Sequence, residues 1–379
     1  MYEYQKNNRY FAQIADSIKE LGAQELTELG ASNVSSVYMG IYFDADMKTL
    51  YRINYSSRLV SRVLASLVWF RCHTTDQLHK KAMEIKWTDF ISPKNTFAIF
   101  SNVSNSKIRN SKFAALRLKD AIVDSFRNAT GDRPSIDTKN PDIWLNLHIE
   151  NDEAMISLDT SGGSLHKRGY RKDAIEAPMQ ETVAAAIIRY SEWDGTIPLY
   201  DPMCGSGTLL AEALMHYCKM PSGILRKHFG FKYLPDYNKA VWTKVKTELD
   251  SGIRRLPDKR ISGSDSSAKA IRIATENLNS LKHGMRVNLK ILDFKRSKGL
   301  ENGIIVTNPP YGIRMGKNQE LDEFYKSFGD FLKQKCTGST AYIYFGEREF
   351  IKKIGLKPTW KKPLKTGGLD GRLAKYEMF

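Results

Sequence analysis

The sequence predicts an α/β chain whose second half forms a parallel sheet flanked by helices, and three observations carry that reading. Beyond about residue 196, strand-like runs alternate with long helical runs, the pattern of parallel pairing through crossover helices. The first of those strands runs into a glycine-rich turn, "DPMCGSGT" (201–208). The fourth stops abruptly at two prolines in "IVTNPPYGIR" (305–314), because proline offers no N–H to a ladder. The first half reads instead as small units of helix and strand.

Taken in order, "FAQIADSIKELGAQELTELG" has helical apolar spacing and ends at Gly30, a C-cap residue. "SVYMGIYFDAD" follows as a strand pair, and "TLYRINYSSRLVSRVLASLVWF" as a helix running into a strand. "TTDQLHKKAMEI" opens on an N-cap threonine, and "KNTFAIFSNVSN" alternates as a strand does. "KFAALRLKDAIVDSFRN" is an amphipathic helix, and "DIWLNLHIENDEAMISLDTSG" a hairpin turning near Asn151-Asp152. "SGGSLHKRGYR" (161–171) has no hydrophobic period and reads as a basic linker.

After the linker, "TIPLYDPMCG", "RISGSDSS", "VNLKILDF", "NGIIVTNPP" and "TAYIYFGE" read as five strands. "TLLAEALMHYC", "AKAIRIATENLNSLK" and "ELDEFYKSFGDFLKQK" are helices between them. "PTWKKPLKTGGLDGRLAKYEMF" closes the chain as a hairpin around Gly367-Gly368, and residues 219–259 interrupt the rhythm as an insertion. The domains expected are 1–65, 66–160, a linker at 161–178 and 179–379.

The 379 residues, 41% hydrophobic and 26% charged, suit an ordinary globular protein of two or three domains. No apolar run is long enough for a signal-peptide core or a membrane span, so a cytoplasmic protein without membrane partners is expected. The four cysteines lie far apart and no cluster has metal-ligand spacing, so neither disulfides nor a metal is expected. The net charge of +16 is uneven. Residues 51–139 carry 16 Lys and Arg against 7 acids, residues 140–165 none against 5, and residues 166–379 carry 38 against 23. Clustered positive charge without a membrane anchor points to a polyanion, and nucleic acid is the commonest.

Ligands of open parallel sheets bind at the carboxyl ends of the strands, and four motifs fall there. In "DPMCGSGT", Gly205 and Gly207 let the backbone turn sharply toward a ligand. The turn is not a dinucleotide fingerprint, since Leu210 stands where the third glycine belongs, nor a P-loop, since no Lys-Ser/Thr follows. Asp201 beside it suits a cationic, non-phosphorylated nucleoside. Asp265, ending "RISGSD", could hold ribose hydroxyls or cap the next helix. Asp293, ending "LKILD", could take an adenine amino group or be a solvated turn residue. In "NPPY", the Asn308 side-chain carbonyl and the Pro309 carbonyl give two acceptors for an exocyclic amine, Pro310 fixes the turn, and Tyr311 offers a stacking face. That clamp alone admits adenine, cytosine or guanine.

Together, "DPMCGSGTLLAEAL", the acidic strand ends and "NPPYG" resemble class I S-adenosylmethionine-dependent methyltransferases of amino nitrogens. "LHKRGYRKDAIEAPMQETVAAAII" (165–188) resembles the THUMP-containing RNA guanine-N2 methyltransferases, the bacterial 23S rRNA enzymes in particular. "SNVSNSKIRNSKFAALRLKDAIVDSFRN" (101–128) looks like the THUMP domain, which a ferredoxin-like domain precedes in such proteins. The resemblance implies a Rossmann-like seven-stranded sheet in the order 3-2-1-4-5-7-6, its last strand antiparallel. It implies S-adenosylmethionine as cofactor, with Asp201, Cys204, Gly205, Gly207 and Thr208 at the methionine end, Asp265 at the ribose and Asp293 at the adenine. Asn308, Pro309, Pro310 and Tyr311 would hold the target guanine.

Lys107, Arg109 and Lys112, with Arg117 and Lys119 beyond, lie in or just before the THUMP-like helix and are expected to contact RNA. So are Arg168 and Arg171 in the linker, and Arg314 and Lys317 after the amine motif. Ribosomal RNA is the expected substrate, tRNA the alternative, and a non-catalytic RNA-binding assembly factor the reading from another class. No obligate protein partner is implied. Larger relatives append a second methyltransferase module, and a chain ending at Phe379 is expected to carry one activity.

Overall fold

The computed structural model describes residues 1–38, 40–171, 179–310, 318–365 and 370–379. The chain divides into two compact units, Met1–Leu165 with Arg226–Thr247, and His166–Leu225 with Glu248–Phe379.

The first unit is built on strands β1 (Arg9–Gln13), β2 (Ser32–Val37), β3 (Gly40–Asp44), β4 (Arg62–Arg71), β5 (Thr96–Ser104), β6 (Ser135–Ile136), β7 (Ile143–Glu150) and β8 (Glu153–Asp159). Its helices are α1 (Glu3–Asn7), α2 (Lys19–Glu28), α3 (Met47–Ser56), α4 (Thr75–Met83) and α5 (Ser111–Thr130). The strands form one sheet in the order β2-β3-β1-β4-β8-β7-β5-β6. The stretch around Phe11, expected to be helical, is the central strand β1, and the helix begins only at Lys19. Alternation decides it: Tyr10 and Ala12 are buried between β3 and β4 while Phe11 and Gln13 point the other way.

The expected boundary at 65/66 falls inside β4. That ten-residue strand pairs with β1 through Arg62–Ala65 and with β8 from Leu64 to Arg71, so both N-terminal modules share one sheet. The insertion also contributes to this unit. Phe231 packs on Tyr51 of α3 with ring centroids 4.6 Å apart, and Trp242, on α8 (Lys239–Ser251), packs on Tyr55 at 5.3 Å. Gly230 passes so close to β8 that a Cβ there would lie 1.9 Å from the Asp159 carbonyl oxygen. Arg226 donates to the carbonyls of Ser161, Gly162, Gly163 and Ser164, fixing the chain as it leaves β8.

The second unit holds β9 (Leu199–Asp201), β10 (Ile261–Asp265), β11 (Asn288–Ile291), β12 (Ile304–Thr307), β13 (Thr340–Phe345), β14 (Trp360–Pro363) and β15 (Arg372–Glu377). With them run α6 (Glu181–Tyr190), α7 (Thr208–Tyr217), α9 (Ala268–Asn279) and α10 (Asn318–Lys335). The sheet order is β11-β10-β9-β12-β13-β15-β14, with β15 antiparallel to its neighbours, which is the expected 3-2-1-4-5-7-6. The turn of the last hairpin, at Gly367-Gly368, lies outside the described residues. An aromatic core of Phe294, Tyr325, Phe328, Phe331 and Phe345 packs α10 on this sheet. No helix among the described residues is long and apolar enough to cross a membrane.

The basic connection does not behave as an exposed linker. Leu165 and Arg168 are 1% exposed and Tyr170 is fully buried. Its glycines, read as flexibility, lie beside large side chains that pack inward.

Candidate active site

Four strand ends, those of β9, β10, β11 and β12, lie side by side in the second unit. β9 delivers Asp201, after which the chain turns through Gly205 (φ +54°) and Gly207 (φ +79°) into α7 at Thr208. At Gly207 the backbone is left-handed and a Cβ would lie 3.2 Å from the Ala274 Cβ of α9, so no other residue fits without strain. Gly207→Ala is expected to destabilise the fold by about 1–2 kcal/mol, the cost of forcing an L residue left-handed, as a denaturant midpoint shift. The turn is clamped from β10: the Gly205 N–H donates to Asp265 Oδ2 at 2.9 Å and the Cys204 N–H to the Ser264 carbonyl at 2.9 Å. Burial pushes the Cys204 thiol well up, so it packs as a neutral group and not as a nucleophile.

Asp201 is 1% exposed, and burial pushes its carboxyl up to about 7. Bonds from the Thr307 hydroxyl (2.8 Å) and the Met203 N–H (3.1 Å) to Oδ1 act against that shift, and the charge of Asp265 adds to it. Thr307 precedes Asn308, so this bond joins the cofactor turn to the proline motif. Sequence reasoning missed Thr307, since a threonine ending a strand carries no distinguishing signal.

Asp265 is not the cap of α9. Ser267 caps it, accepting from the Ala270 N–H at 3.3 Å, while Asp265 Oδ1 accepts from the Ser267 N–H at 2.9 Å. Each carboxylate oxygen keeps a further lone pair for a hydroxyl. Asp293 lies two residues beyond β11 and caps a short 3₁₀ turn, accepting from the Lys295 N–H at 2.8 Å.

At the end of β12, Asn308 Oδ1 is buried and has no hydrogen-bond partner. Buried polar atoms are nearly always paired, so an orphaned carbonyl oxygen marks a place where a donor is to be received. The Pro310 carbonyl is occupied: the Tyr325 hydroxyl donates to it at 3.1 Å. Tyr325 is fully buried on α10 and stacked on Phe350 (4.8 Å), so it anchors the motif from behind. It too was missed, because its helical spacing reads only as core. Tyr311, Arg314 and Lys317 lie outside the described residues.

The linker arginines face inward, contrary to the expected RNA contact. Arg168 Nε lies 3.3 Å from Oε1 of the fully buried Glu212. Arg171 donates to the Met179 carbonyl (2.9 Å) and the Thr208 hydroxyl (3.0 Å), and pairs with the buried Glu181 at 3.4 Å. A guanidinium inside the protein cannot meet a phosphate; these two hold the first turn of α7 instead. In the first unit, Lys107, Arg109 and Lys112 are exposed, whereas Arg117 pairs with Asp76 and Lys119 with Asp120. No group of three or more metal-ligating side chains occurs among the described residues.

Residues 168–375 match the model of the RMKL-like methyltransferase domain, residues 72–159 the THUMP domain, and residues 9–64 the RlmL ferredoxin-like domain. A Synechocystis protein named as an RNA methyltransferase, slr0064, is 36% identical over 98% of this chain and 97% of its own length. The ribosomal RNA large subunit methyltransferase K/L of Syntrophotalea carbinolica is 38% identical over 98% of this chain. The chain spans about half the length of such K/L relatives, 53% in that case. Among solved structures, SMU.472, described as a methyltransferase complexed with S-adenosylhomocysteine, aligns with a TM-score of 0.86 at 27% identity over 98% of both chains. A methylase from Clostridium difficile 630 aligns equally well, at 0.86 and 27% over 98% of both. TrmN from Thermus thermophilus shares the fold, with a TM-score of 0.72 at 15% identity over 98% of this chain and 99% of its own.

Proposed function

The chain belongs to the RMKL-like methyltransferase family, and from that premise we propose that it methylates the exocyclic N2 of a guanine in RNA, ribosomal RNA first. S-adenosylmethionine is the methyl donor; when bound, it supplies an electrophilic sulfonium methyl group. The residues fit such a cofactor: a glycine turn without a lysine, flanked by carboxylates, suits a cationic nucleoside and not a phosphate. Asp201, Cys204, Gly205, Gly207 and Thr208 would line its methionine end, Asp265 its ribose and Asp293 its adenine.

The observation that carries the catalytic reading is the orphaned Asn308 Oδ1. An aromatic amine is a poor nucleophile because its lone pair is delocalised into the ring. Accepting one N–H at Asn308 Oδ1 and the other at the Pro309 carbonyl favours a pyramidal nitrogen and aims its lone pair at the methyl carbon. The nitrogen attacks in line, the carbon–sulfur bond breaks, and the proton leaves once nitrogen carries the methyl group. A neutral Asn suffices, since no proton need be removed first. The guanine assignment is supported by the THUMP match and by the ribosomal RNA named for the K/L relatives.

The test is labelled methyl transfer onto unmodified rRNA and tRNA separately, with nucleoside analysis. N2-methylguanosine in rRNA is the expected result. Label in tRNA alone moves the substrate, and label in neither RNA despite RNA binding leaves a binding factor.

Asp201 adds a pH dependence. Its folded pKa is raised, so the protonated form is favoured in the fold, and the stability it contributes is lost as pH rises toward about 7. A bound cation draws the carboxyl back to its ionised form, so binding releases a proton. Cofactor affinity is expected to rise up to about tenfold between roughly pH 6 and pH 8, and Asp201→Asn to flatten that slope, both by titration calorimetry.

A further inference from the structure

We propose a second RNA-binding site in the first unit: an aromatic-lined cavity on the open face of the eight-stranded sheet that seats unpaired bases of the substrate strand. It rests on RNA being the substrate, as inferred above.

The sheet has two unlike faces. Tyr10, Ala12, Ile41 and Phe43 lie on the face that takes the helices, where Gly22 of α2 packs on Ile41 and Met47 of α3 meets Tyr10. Phe11 and Tyr42, paired in register, point from the other face with ring centroids 5.0 Å apart. They line a cavity of about 590 Å³ with Phe100 of β5. Gln13, Asn102, Asn146 and His148 add amide and imidazole edges to its wall. A volume of that order holds a nucleotide-sized ligand.

A bulge in β4 enlarges the aromatic surface. The register shifts between Ser66 and Val68, bringing Trp69 opposite Met155, which also lines the cavity. Without the extra residue, Val68 and Phe70 would face this way. Trp69 is 56% exposed, a large ring left in water beside the cavity.

Charge selects bases over phosphates on the floor. Arg62 lies over the Phe100 ring at 4.3 Å but pairs with Asp159, and Arg9 lies over Tyr42 at 5.4 Å but pairs with Asp44. Glu150 also lines the cavity, so the floor is close to neutral. The rim is not. β5 ends at Ser104, a lining residue, and Lys107, Arg109 and Lys112 follow it, exposed and without an ion pair among the described residues. Rings and amide edges below, with free cations at one end, suit a single strand whose bases stack inward while its backbone crosses the rim. A duplex hides its base faces and cannot use the cavity.

The test measures binding of a short fluorescent single-stranded RNA to the full chain without cofactor, by anisotropy. Phe11→Leu and Trp69→Leu keep apolar volume and remove a ring; each is expected to weaken binding roughly tenfold. Unchanged circular dichroism and unchanged S-adenosylmethionine affinity show that both variants fold. Undiminished RNA affinity in both variants overturns the site, as does equal binding of the same sequence as a duplex. Free guanosine monophosphate bound as tightly as the strand overturns the RNA assignment and makes the cavity a nucleotide pocket. Strand binding that falls with both rings, in a protein that methylates no RNA, upholds the site and overturns only the catalytic reading.

Discussion

Asn308→Ala is expected to lower methyl transfer by about 10²–10³-fold, the loss typical of removing one preorganised hydrogen-bonding group from a reaction centre. The expectation comes from one atom. Asn308 Oδ1 is out of water and unpaired in the ligand-free protein, so the site pays for keeping an acceptor ready and recovers that cost when an amine arrives. Alanine removes the acceptor and leaves the target nitrogen planar. Cofactor affinity should be unchanged, because Asn308 is absent from the bonds that hold the glycine turn: those run through Asp265, Ser264 and Cys204. Equilibrium binding of S-adenosylmethionine beside single-turnover transfer separates the two. A loss of cofactor affinity comparable to the loss of rate would move Asn308 from the amine to the cofactor. Asn308→Asp is the sharper companion, since it preserves shape and an accepting oxygen while adding a charge that the motif does not otherwise need.

Legibility varied along the chain for physical reasons. The sheet of the second unit could be read in full, because alternating strands and helices, a glycine turn and a proline-stopped strand are local signals, and the strand ends place four of them together. The joined sheet of the first unit could not. Whether β4 stops at one partner or spans two depends on pairing with β8, some ninety residues away, which no local pattern records. Phe11 failed for a related reason: a short central strand beside a helix shares its apolar spacing, and only the two flanking partners distinguish them. In the site, carboxylates and asparagine were legible by type and place. Thr307 and Tyr325 were not, since their importance lies in bonds to Asp201 and to the Pro310 carbonyl.

Arg168 shows how far charge alone misleads, and it carries the largest stability effect expected here. As one cation in a basic stretch it reads as an RNA contact, yet its side chain is 1% exposed and set against the fully buried Glu212. Glu212 Oε2 already lacks a partner, and the Tyr170 hydroxyl beside this cluster is likewise unpaired. Arg168→Ala therefore leaves a carboxylate in the interior with nothing to balance it, and should destabilise the protein by about 3–5 kcal/mol. Urea unfolding followed by circular dichroism measures this, with the midpoint falling at unchanged slope. RNA affinity of the folded protein should not move, the reverse of what a surface phosphate contact gives. Replacing both partners with apolar residues, Arg168→Met with Glu212→Leu, should restore much of the lost stability, because a buried pair contributes little beyond an apolar pair of equal volume. If the double variant stays as unstable as Arg168→Ala, the arginine's packing and its remaining bonds near the first turn of α7 outweigh its charge. That outcome would place the fold's sensitivity in the support of the cofactor turn itself.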